Sequence, residues 1–261
     1  MSRPEIHPQA VVAPGAKLGP GVKVGAYAIV TDEVELGEGC LLHPHATVGG
    51  PAKYGRDNVF YSFSAVGGDP QDYSYRGERT ELLVGDGNIF REYVTVSRGT
   101  QKGGGLTRVG NLNFFLAYSH IGHDDQIGNQ TLFVNGATLA GHVAVEDFAT
   151  VGSFSVVHQY CRVGRYAYVG AATVIVQDVP PFSRVVTERK TKSYGVNTIG
   201  LERKGFSKER LETLDRAFRL LSRSKMNTTQ ALAEMRAQLV GSDDIQELIQ
   251  FIETAERGIV K

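Results

Sequence analysis

The sequence predicts a mainly β protein, in which a parallel β-helix of hexapeptide repeats is followed by a C-terminal α-helical domain. Three observations predict this fold. An apolar residue recurs at every sixth position over most of the chain, glycine often follows it, and the C-terminal part changes to the apolar spacing of amphipathic helices. A period of six fits neither an α-helix nor an ordinary strand, and it is typical of a hexapeptide β-helix.

The apolar residues of this period, here called the anchors, form three runs. They are Ile6, Val12, Leu18, Val24, Val30, Leu36, Leu42, Val48, Tyr54, Phe60 and Val66; then Val84, Phe90 and Val96; and finally Val109, Phe115, Ile121, Ile127, Phe133, Leu139, Val145, Val151, Val157, Val163, Val169 and Ile175. Each hexapeptide is expected to supply one short strand and one corner, so three of them make one coil. Stacked coils bury a continuous core that one coil alone cannot form.

Two positions beside the anchors support stacked coils. The glycine after the anchor, as at Gly19 and Gly25, is expected to permit a backbone geometry forbidden to residues with a Cβ. The fourth residue after the anchor is mostly small and is expected to point inward near a corner. Both cysteines, Cys40 and Cys161, occupy this small position, so a packing role is expected rather than a disulfide. Unpaired cysteines fit a reducing, cytoplasmic location.

The anchor series is interrupted twice. Residues 68–83 keep the phase of the repeat but carry turn formers and charges, and residues 98–108 shift the phase and are rich in glycine. Both segments are expected to be loops extruded from corners of the helix, and long loops on a rigid scaffold are often functional. The first contains Gln71 and Asp72, a polar pair that could face a ligand.

The β-helix domain is predicted to span residues 1–182, and a linker with a helical domain is predicted to span residues 183–261. Apolar residues at helical spacing predict helices over 207–224, 228–239 and 243–257. Ser207 is a plausible N-cap for the first of these helices.

Composition excludes several classes of protein. The chain has 28 lysine and arginine residues and 28 aspartate and glutamate residues, so its net charge is zero. It therefore lacks the excess positive charge that is typical of nucleic-acid-binding proteins. No apolar run is long enough for a membrane span, and the first residues lack the apolar core of a signal peptide. We therefore expect no nucleic-acid partner, no membrane insertion and a cytoplasmic location.

Four of the seven histidines fall close together in sequence, at His120, His123, His142 and His158. Residues one coil apart should lie in one column, which places His123, Gly141 and Gln159 above one another. The repeat therefore gathers imidazoles, a glycine amide and a carboxamide on neighbouring rungs of one edge.

This cluster suits acyl transfer by general-base catalysis. Histidine titrates near neutral pH, and the carboxylate of Asp124 could orient His123 and stabilise its imidazolium. The N–H of Gly141 is a suitable oxyanion donor, because no side chain blocks its approach. No serine or cysteine nucleophile accompanies the pair, so direct transfer to an acceptor hydroxyl is indicated. Zinc binding by His120, His123 and His142, as in γ-class carbonic anhydrases, stays geometrically open.

Several segments carry a family resemblance that spans essentially the whole chain. They are residues 135–143 (NGATLAGHV), 120–124 (HIGHD), 157–159 (VHQ), 177–181 (QDVPP), 195–197 (GVN), 200–207 (GLERKGFS), 103–107 (GGGLT) and 71–72 (QD). In these segments the chain resembles the bacterial acyl-(acyl-carrier-protein)–UDP-N-acetylglucosamine O-acyltransferases, which begin lipid A synthesis. The resemblance implies a left-handed β-helix, a homotrimer with active sites between subunits, and no cofactor or metal.

The resemblance also implies roles for individual residues. His123 would be the general base for the sugar 3-hydroxyl, Asp124 would orient it, and the Gly141 amide would hold the oxyanion. The donor would be an (R)-3-hydroxyacyl chain on acyl carrier protein, for which Arg184, Arg189, Lys190, Lys192 and Lys204 offer positive charge. Contacts with the sugar nucleotide or the acyl chain would come from Gln71, Asp72, His120, His142, His158, Gln159, Ala171, Asn197 and Arg203.

Three positions depart from the family pattern. Ser74 stands where a lysine is usual, Ser97 replaces a histidine before Arg-Gly-Thr, and Ile199 stands where a glutamate is usual. These changes leave the base and the oxyanion glycine intact, and they open the alternative that the acceptor is a 3-amino sugar. Ala171 stands where some relatives have glycine, and its methyl could shorten the acyl tunnel.

Two further alternatives remain at the level of sequence. A later N-acyltransferase of the same pathway shares the solenoid, but it carries a uridine-binding domain before the repeat, and here the first anchor is already Ile6. A solenoid without activity is the other alternative, and loss of function on replacing His123 would exclude it.

Overall fold

The computed structural model describes residues 2–187, 195–222, 226–255 and 259, and it divides the chain into two compact units, Met1–Thr187 and Glu188–Lys261. The first unit extends beyond the predicted boundary at residue 182, because Arg184 and Val185 form a strand that pairs with the coil before it. In the part of the chain that is described, no helix is long and apolar enough to cross a membrane.

The first unit is a parallel β-helix with three sheets, one for each face, and its strands are numbered here in chain order. The first sheet contains β1 (Glu5–Ile6), β4 (Lys23–Val24), β7 (Leu41–Leu42), β10 (Val59–Phe60), β13 (Ile89–Phe90), β16 (Phe114–Phe115), β19 (Leu132–Phe133), β22 (Thr150–Val151), β25 (Tyr168–Val169) and β27 (Arg184–Val185). The second contains β2 (Val11–Val12), β5 (Ile29–Val30), β8 (Thr47–Val48), β11 (Ala65–Gly68), β14 (Thr95–Ser97), β17 (His120–Ile121), β20 (Thr138–Leu139), β23 (Val156–Val157) and β26 (Val174–Ile175). The third contains β3 (Lys17–Leu18), β6 (Val34–Leu36), β9 (Ala52–Tyr54), β12 (Glu81–Val84), β15 (Leu106–Val109), β18 (Gln126–Ile127), β21 (Ala144–Val145) and β24 (Arg162–Val163).

The strand register confirms the predicted coil. Leu41 pairs with Val59 and Phe114 pairs with Leu132, so regular coils repeat every 18 residues. Val59 pairs with Ile89, so the first interruption adds a whole number of hexapeptides and keeps the phase of the repeat. Ile89 pairs with Phe114, so the second interruption shifts this phase. At the two interruptions of the repeat, residues 69–80 form the first loop and residues 98–105 form the second loop. The second loop contains a 3-10 turn at Gln101–Gly103. Both loops are shorter than predicted, because their last residues join β12 and β15.

The anchors form the core of this unit. Phe60, Phe90, Phe115 and Phe133 stack with ring centroids 5.0–5.2 Å apart, which matches the spacing of neighbouring coils. Ile6 is 47% exposed, because the first coil has a neighbour on one side only. Both cysteines are buried and unpaired, as expected.

The role expected for the glycine after the anchor is wrong. Gly19 and Gly25 do not have a positive φ; instead, a Cβ on Gly25 would lie 2.8 Å from the backbone nitrogen of Pro44 in the next coil. Left-handed φ values occur two residues later, at the third position after the anchor, where Asp124 has a φ of 63° and His142 one of 65°. Glycine therefore allows close stacking of the coils, whereas the left-handed corner tolerates other residues.

Across its described residues, the second unit contains four helices, α1 (Thr198–Glu202), α2 (Lys208–Ser222), α3 (Thr228–Gln238) and α4 (Asp243–Glu253). The three longer ones confirm the predicted helices, while α1 was not predicted because it is short. Asn227 caps α3 in a capping box with Gln230. The helices bury an apolar core of their own, made of Leu214, Ala217, Leu221, Ala231, Leu232, Met235, Leu239, Ile245, Ile249 and Ile252.

Candidate active site

His123 lies directly over Gly141, as the coil register predicts. His120 pairs with Thr138, and Thr138 pairs with Val156, so the corners after these strands are in register. A Cβ on Gly141 would overlap the His123 ring, with Nε2 2.6 Å away. The backbone carbonyl of His123 also accepts a hydrogen bond of 3.0 Å from His142 N.

Asp124 orients the His123 ring. His123 Nδ1 lies 2.8 Å from Asp124 Oδ2, and the Asp124 side chain is 1% exposed. A carboxylate accepts at this position, so Nδ1 carries the proton and Nε2 is the basic nitrogen. Geometry alone therefore gives His123 the tautomer that a general base requires.

The second loop holds Asp124 in place. Thr100 donates to this carboxylate twice, from its N–H at 2.8 Å and from its Oγ1 at 2.6 Å. Thr107 Oγ1 accepts from Asp124 N at 2.8 Å, and a Cβ on Gly103 would overlap the Asp124 carboxyl group. None of these three residues was given a role from the sequence, although Gly103 and Thr107 lie in a segment that carries the family resemblance. The break in the repeat marked this segment, but the phase shift prevents counting from it to His123.

The N–H of Gly141 is free to bind an oxyanion. Among the described residues, none accepts a hydrogen bond from it. This corner position lies two residues after an anchor. Elsewhere it is occupied by Pro20 and Pro44, which have no N–H, so the fold does not need a hydrogen-bond donor there. The β-helix thus leaves an unused amide at this position, and Gly141 presents it beneath His123.

His142 completes the cluster around Asp124. Its ring meets His123 edge to face at 5.1 Å and stacks on Tyr160 at 4.6 Å, and its Nε2 lies 3.8 Å from Asp124 Oδ2. Within the described part of the chain, His123, Asp124 and His142 are the residues whose spacing could hold a metal ion. Asp124 already accepts hydrogen bonds from His123 and Thr100, so a metal would have to displace them.

His120 lies at the edge of this cluster. Its Nδ1 is 2.7 Å from Thr95 Oγ1 on the preceding coil. Burial of the ring, together with the nearby charge of His123, lowers the pKa of His120. His120 is therefore kept neutral at physiological pH.

Asp72 on the first loop lies within electrostatic range of His123. Its Oδ1 accepts a hydrogen bond of 2.7 Å from Ser74 N, and this bond is the main reason that the pKa of Asp72 is lowered; the positive charges of His123 and Lys102 add to the shift. Gln71 beside it is exposed. The first loop therefore presents a carboxylate near the base.

Arg98 connects the two loops. Its guanidinium group, at the start of the second loop, donates to Gly67 O at 2.8 Å, to Tyr75 Oη at 3.3 Å and to the carboxylate of Asp69. The Arg98 side chain is buried. This arrangement fixes the position of the first loop, which carries Asp72.

The remaining predicted residues of the first unit lie farther from His123. His158 and Gln159 are exposed on the same edge, two coils from His123, and His158 Nδ1 lies 3.1 Å from Gln159 O. Ala171 follows the anchor Val169 of the first sheet, so it occupies a different corner from His123, which follows the second sheet. Its role in acyl length stays a prediction.

Asn197 and Arg203 both belong to the second unit, at the two ends of α1. Asn197 Oδ1 accepts from Gly200 N at 3.2 Å, and Arg203 is the C-terminal cap of the helix. Both are exposed, as is Ile199 between them. Of the basic residues expected to attract a donor protein, Arg189, Lys190 and Lys192 lie outside the described residues, whereas Arg184 lies in β27 and Lys204 is exposed.

Two family models match the chain. Residues 178–260 match the second domain of UDP-N-acetylglucosamine O-acyltransferase, and residues 15–50 match the bacterial transferase hexapeptide repeat. The fold is the left-handed parallel β-helix that the resemblance implied.

Individual relatives match over nearly the full length. The chain is 45% identical to the acyl-(acyl-carrier-protein)–UDP-N-acetylglucosamine O-acyltransferase of Xylella fastidiosa (strain Temecula1), covering 98% of this chain and 97% of the relative. It is 46% identical to the enzyme of that name from Halorhodospira halophila (strain DSM 244 / SL1), covering 98% and 99%. The crystal structure of the Francisella novicida UDP-N-acetylglucosamine acyltransferase is similar with a TM-score of 0.69 at 35% identity, covering 98% of this chain and 93% of that one. This chain therefore belongs to the acyl-(acyl-carrier-protein)–UDP-N-acetylglucosamine O-acyltransferase family.

Proposed function

We propose that this protein transfers an (R)-3-hydroxyacyl chain from acyl carrier protein to the 3-hydroxyl of UDP-N-acetylglucosamine, the first step of lipid A synthesis. One observation carries the proposal: the His123 ring lies against Gly141, whose N–H is unused, while the buried Asp124 binds Nδ1 and leaves Nε2 as the base. A base beside an oxyanion donor, with no side-chain nucleophile, suits direct acyl transfer between two bound substrates.

The reaction follows from these positions. His123 Nε2 removes the proton from the sugar hydroxyl as its oxygen attacks the thioester carbonyl. The tetrahedral oxyanion accepts a hydrogen bond from Gly141 N–H. When the intermediate collapses, the C–S bond breaks, the ester remains on the sugar, and the imidazolium of His123 returns its proton to the thiolate of the carrier. Asp124 stabilises this imidazolium and keeps the ring oriented.

The proposal also assigns substrate contacts to individual residues. Asp72 and Gln71 on the first loop, with His120 and His142 beside the base, would contact the sugar nucleotide or the acyl chain. His158, Gln159 and Ala171 are assigned to the sugar or the acyl chain, and Asn197 and Arg203 to the uridine and phosphate groups. The exposed cations Arg184 and Lys204 would attract the acidic carrier protein.

A homotrimer is supported by an exposed column of aromatic rings, here called the ring column. Tyr27, His45, Phe63, Tyr93 and Tyr118 follow anchors of the first sheet and stack with centroids 4.8–5.3 Å apart. Tyr93 is 45% exposed and Tyr118 is 63% exposed. A contiguous exposed apolar surface of this kind is typical of a contact between protein chains.

The activity is tested by His123→Ala, assayed with purified acyl carrier protein thioester and UDP-N-acetylglucosamine. Loss of a general base is expected to lower kcat by about 100- to 10,000-fold. The thermal midpoint should stay close to that of the wild type. His7→Ala, the same substitution at an exposed histidine of the first coil, is the matched control and should keep full activity. Equal activity of both variants would contradict the proposal.

The acceptor is tested by competition between UDP-N-acetylglucosamine and its 3-amino analogue. The departures at Ser74, Ser97 and Ile199 motivate this assay, because they remove charged groups from the family pattern. A product that is predominantly the amide would assign the 3-amino sugar instead. A zinc enzyme is tested in parallel, since removal of metal by a chelator is expected to leave acyl transfer unchanged.

A further inference from the structure

Asp125 is a buried carboxyl group beside the catalytic pair. It occupies an inward position in the column that also contains Thr107, Val143 and Cys161, as shown by the pairing of the strands that follow them. Its relative exposure is 0%, and no cation among the described residues pairs with it. A buried carboxyl without a cation is costly, so its hydrogen bonds must compensate.

Both oxygens of Asp125 accept hydrogen bonds from backbone N–H groups. Oδ1 accepts from Val143 N and Oδ2 accepts from Gly122 N, each at 2.7 Å. The bond to Val143, in the next coil, has equivalents elsewhere in the helix. Asn58 Oδ1 accepts from Asn88 N at 2.9 Å in the same way.

The bond to Gly122 departs from the repeat. At regular corners the residue after an anchor donates its N–H to the next coil, as Ala140 N does to Val157 O at 3.0 Å. Gly122 N would reach Leu139 O by this rule, but it donates to Asp125 instead. Accordingly, β17 and β20 are paired at one position only, His120 with Thr138.

Gly122 lies between the two catalytic peptides. It directly precedes His123, and a Cβ on Gly122 would lie 2.8 Å from the carbonyl carbon of Ala140 and 3.0 Å from Gly141 N. The backbone of Gly122 thus packs directly against the peptide that carries the Gly141 amide.

We propose that Asp125 is a positioning residue for acyl transfer, which draws the Gly122 N–H out of the strand ladder and thereby fixes His123 relative to the Gly141 amide. This inference rests on the proposed function. Asp125 does not touch the reacting atoms; it acts through the backbone of the corner.

The substitution Asp125→Asn tests the positioning role of this residue separately from its effect on folding. Asn58, Asn88 and Asn113 occupy equivalent positions and are accommodated there, and Asn58 Nδ2 donates to Gly55 O at 3.0 Å. An asparagine at 125 would place its Nδ2 donor near Gly122. The Gly122 N–H would then lose its acceptor at residue 125 and donate to Leu139 O instead. Burial raises the pKa of Asp125 well above its ordinary value, because the charged form is costly to desolvate, and a neutral amide avoids this cost at any pH.

The experiment compares Asp125→Asn with Asn58→Asp, which places a carboxyl group at an equivalent buried position in an earlier coil. For Asp125→Asn we expect kcat to fall by about 10- to 100-fold with KM for both substrates nearly unchanged. The thermal midpoint should equal or exceed that of the wild type, and a crystal structure should show Gly122 N bonded to Leu139 O. Asn58→Asp should lower the thermal midpoint and leave kcat unchanged.

Three results would overturn the proposal. They are an unchanged kcat in Asp125→Asn, a parallel loss of kcat and thermal stability in both variants, and a crystal structure in which Gly122 N keeps its wild-type position. Inactivity of the wild-type chain towards UDP-N-acetylglucosamine would instead refute the proposed function. In that case the crystal structure still decides whether Asp125 controls the Gly122 peptide.

Discussion

Gly141 meets two separate requirements in one residue. Its N–H has no partner in the strand ladder, because amides two residues after an anchor are left out of that ladder, as the prolines at equivalent positions show. Its missing side chain leaves room for the imidazole of His123 on the neighbouring coil. The first property comes from the repeat, and the second makes the position usable for catalysis.

Gly141→Ala is therefore expected to inactivate the enzyme without unfolding it. The added Cβ would displace the His123 ring and cover the oxyanion donor, so kcat should fall by about 100- to 1,000-fold. Gly141 does not have a positive φ, so alanine can adopt its backbone conformation. Steady-state kinetics and thermal denaturation check both points. Ser153→Ala, at the equivalent position after Val151, is the control and should retain wild-type kcat.

His120 should make stability depend on pH. Its pKa is lower in the folded protein than the value of about 6.5 in an unfolded chain. The unfolded state therefore binds more protons below that value, and stability falls as the pH decreases through this window. His120→Gln removes the group, so the difference in thermal midpoint between variant and wild type should shift in favour of the variant from pH 7 to pH 5. A constant difference would show that His120 does not titrate in this way.

At the scale of elements, each strand is two to four residues long and depends on its neighbours in the stack. Such a strand has no stability of its own, so the anchors inside the helix supply the free energy that holds the coils together. The catalytic side chains lie at corners, where they contribute little to this core. Stability and activity should therefore separate by position.

Ile127→Ala tests this separation. Ile127 is a buried anchor, and its truncation leaves a cavity that is expected to lower the free energy of unfolding by about 2–5 kcal/mol. Chemical denaturation of Ile127→Ala and His123→Ala should rank them in that order. A larger loss of stability for His123→Ala would mean that the side chain of His123, rather than that of Ile127, belongs to the core.

At the scale of the whole molecule, the ring column is a large apolar surface that the described part of the chain leaves uncovered. Its rings come from the left-handed corner position of successive coils, so the same register that stacks the anchors also aligns these rings. A repeat that forms a core thereby also forms a continuous exposed edge, which suits an interface between copies.

Replacing Phe63 and Tyr93 together with serine is expected to dissociate the proposed trimer. Light scattering coupled to gel filtration would measure the mass, and acyl transfer should fall in parallel if active sites are formed between subunits. Leu112→Ser is the matched control, because Leu112 is 60% exposed at the equivalent corner position after the third sheet. A trimer that survives the double substitution would place the interface elsewhere.

The sequence by itself determined the solenoid, its coil length, the helical C-terminal unit and the position of His123 over Gly141. It could do so because each coil contacts only its neighbours, so sequence separation converts directly into spatial position wherever the repeat is regular. The tertiary structure alone decided how Asp124 is held, since Thr100 lies in a loop where the phase of the repeat shifts. It also decided the hydrogen bonds of Asp125 and the stacking function of the glycines, because both depend on which backbone groups meet between coils.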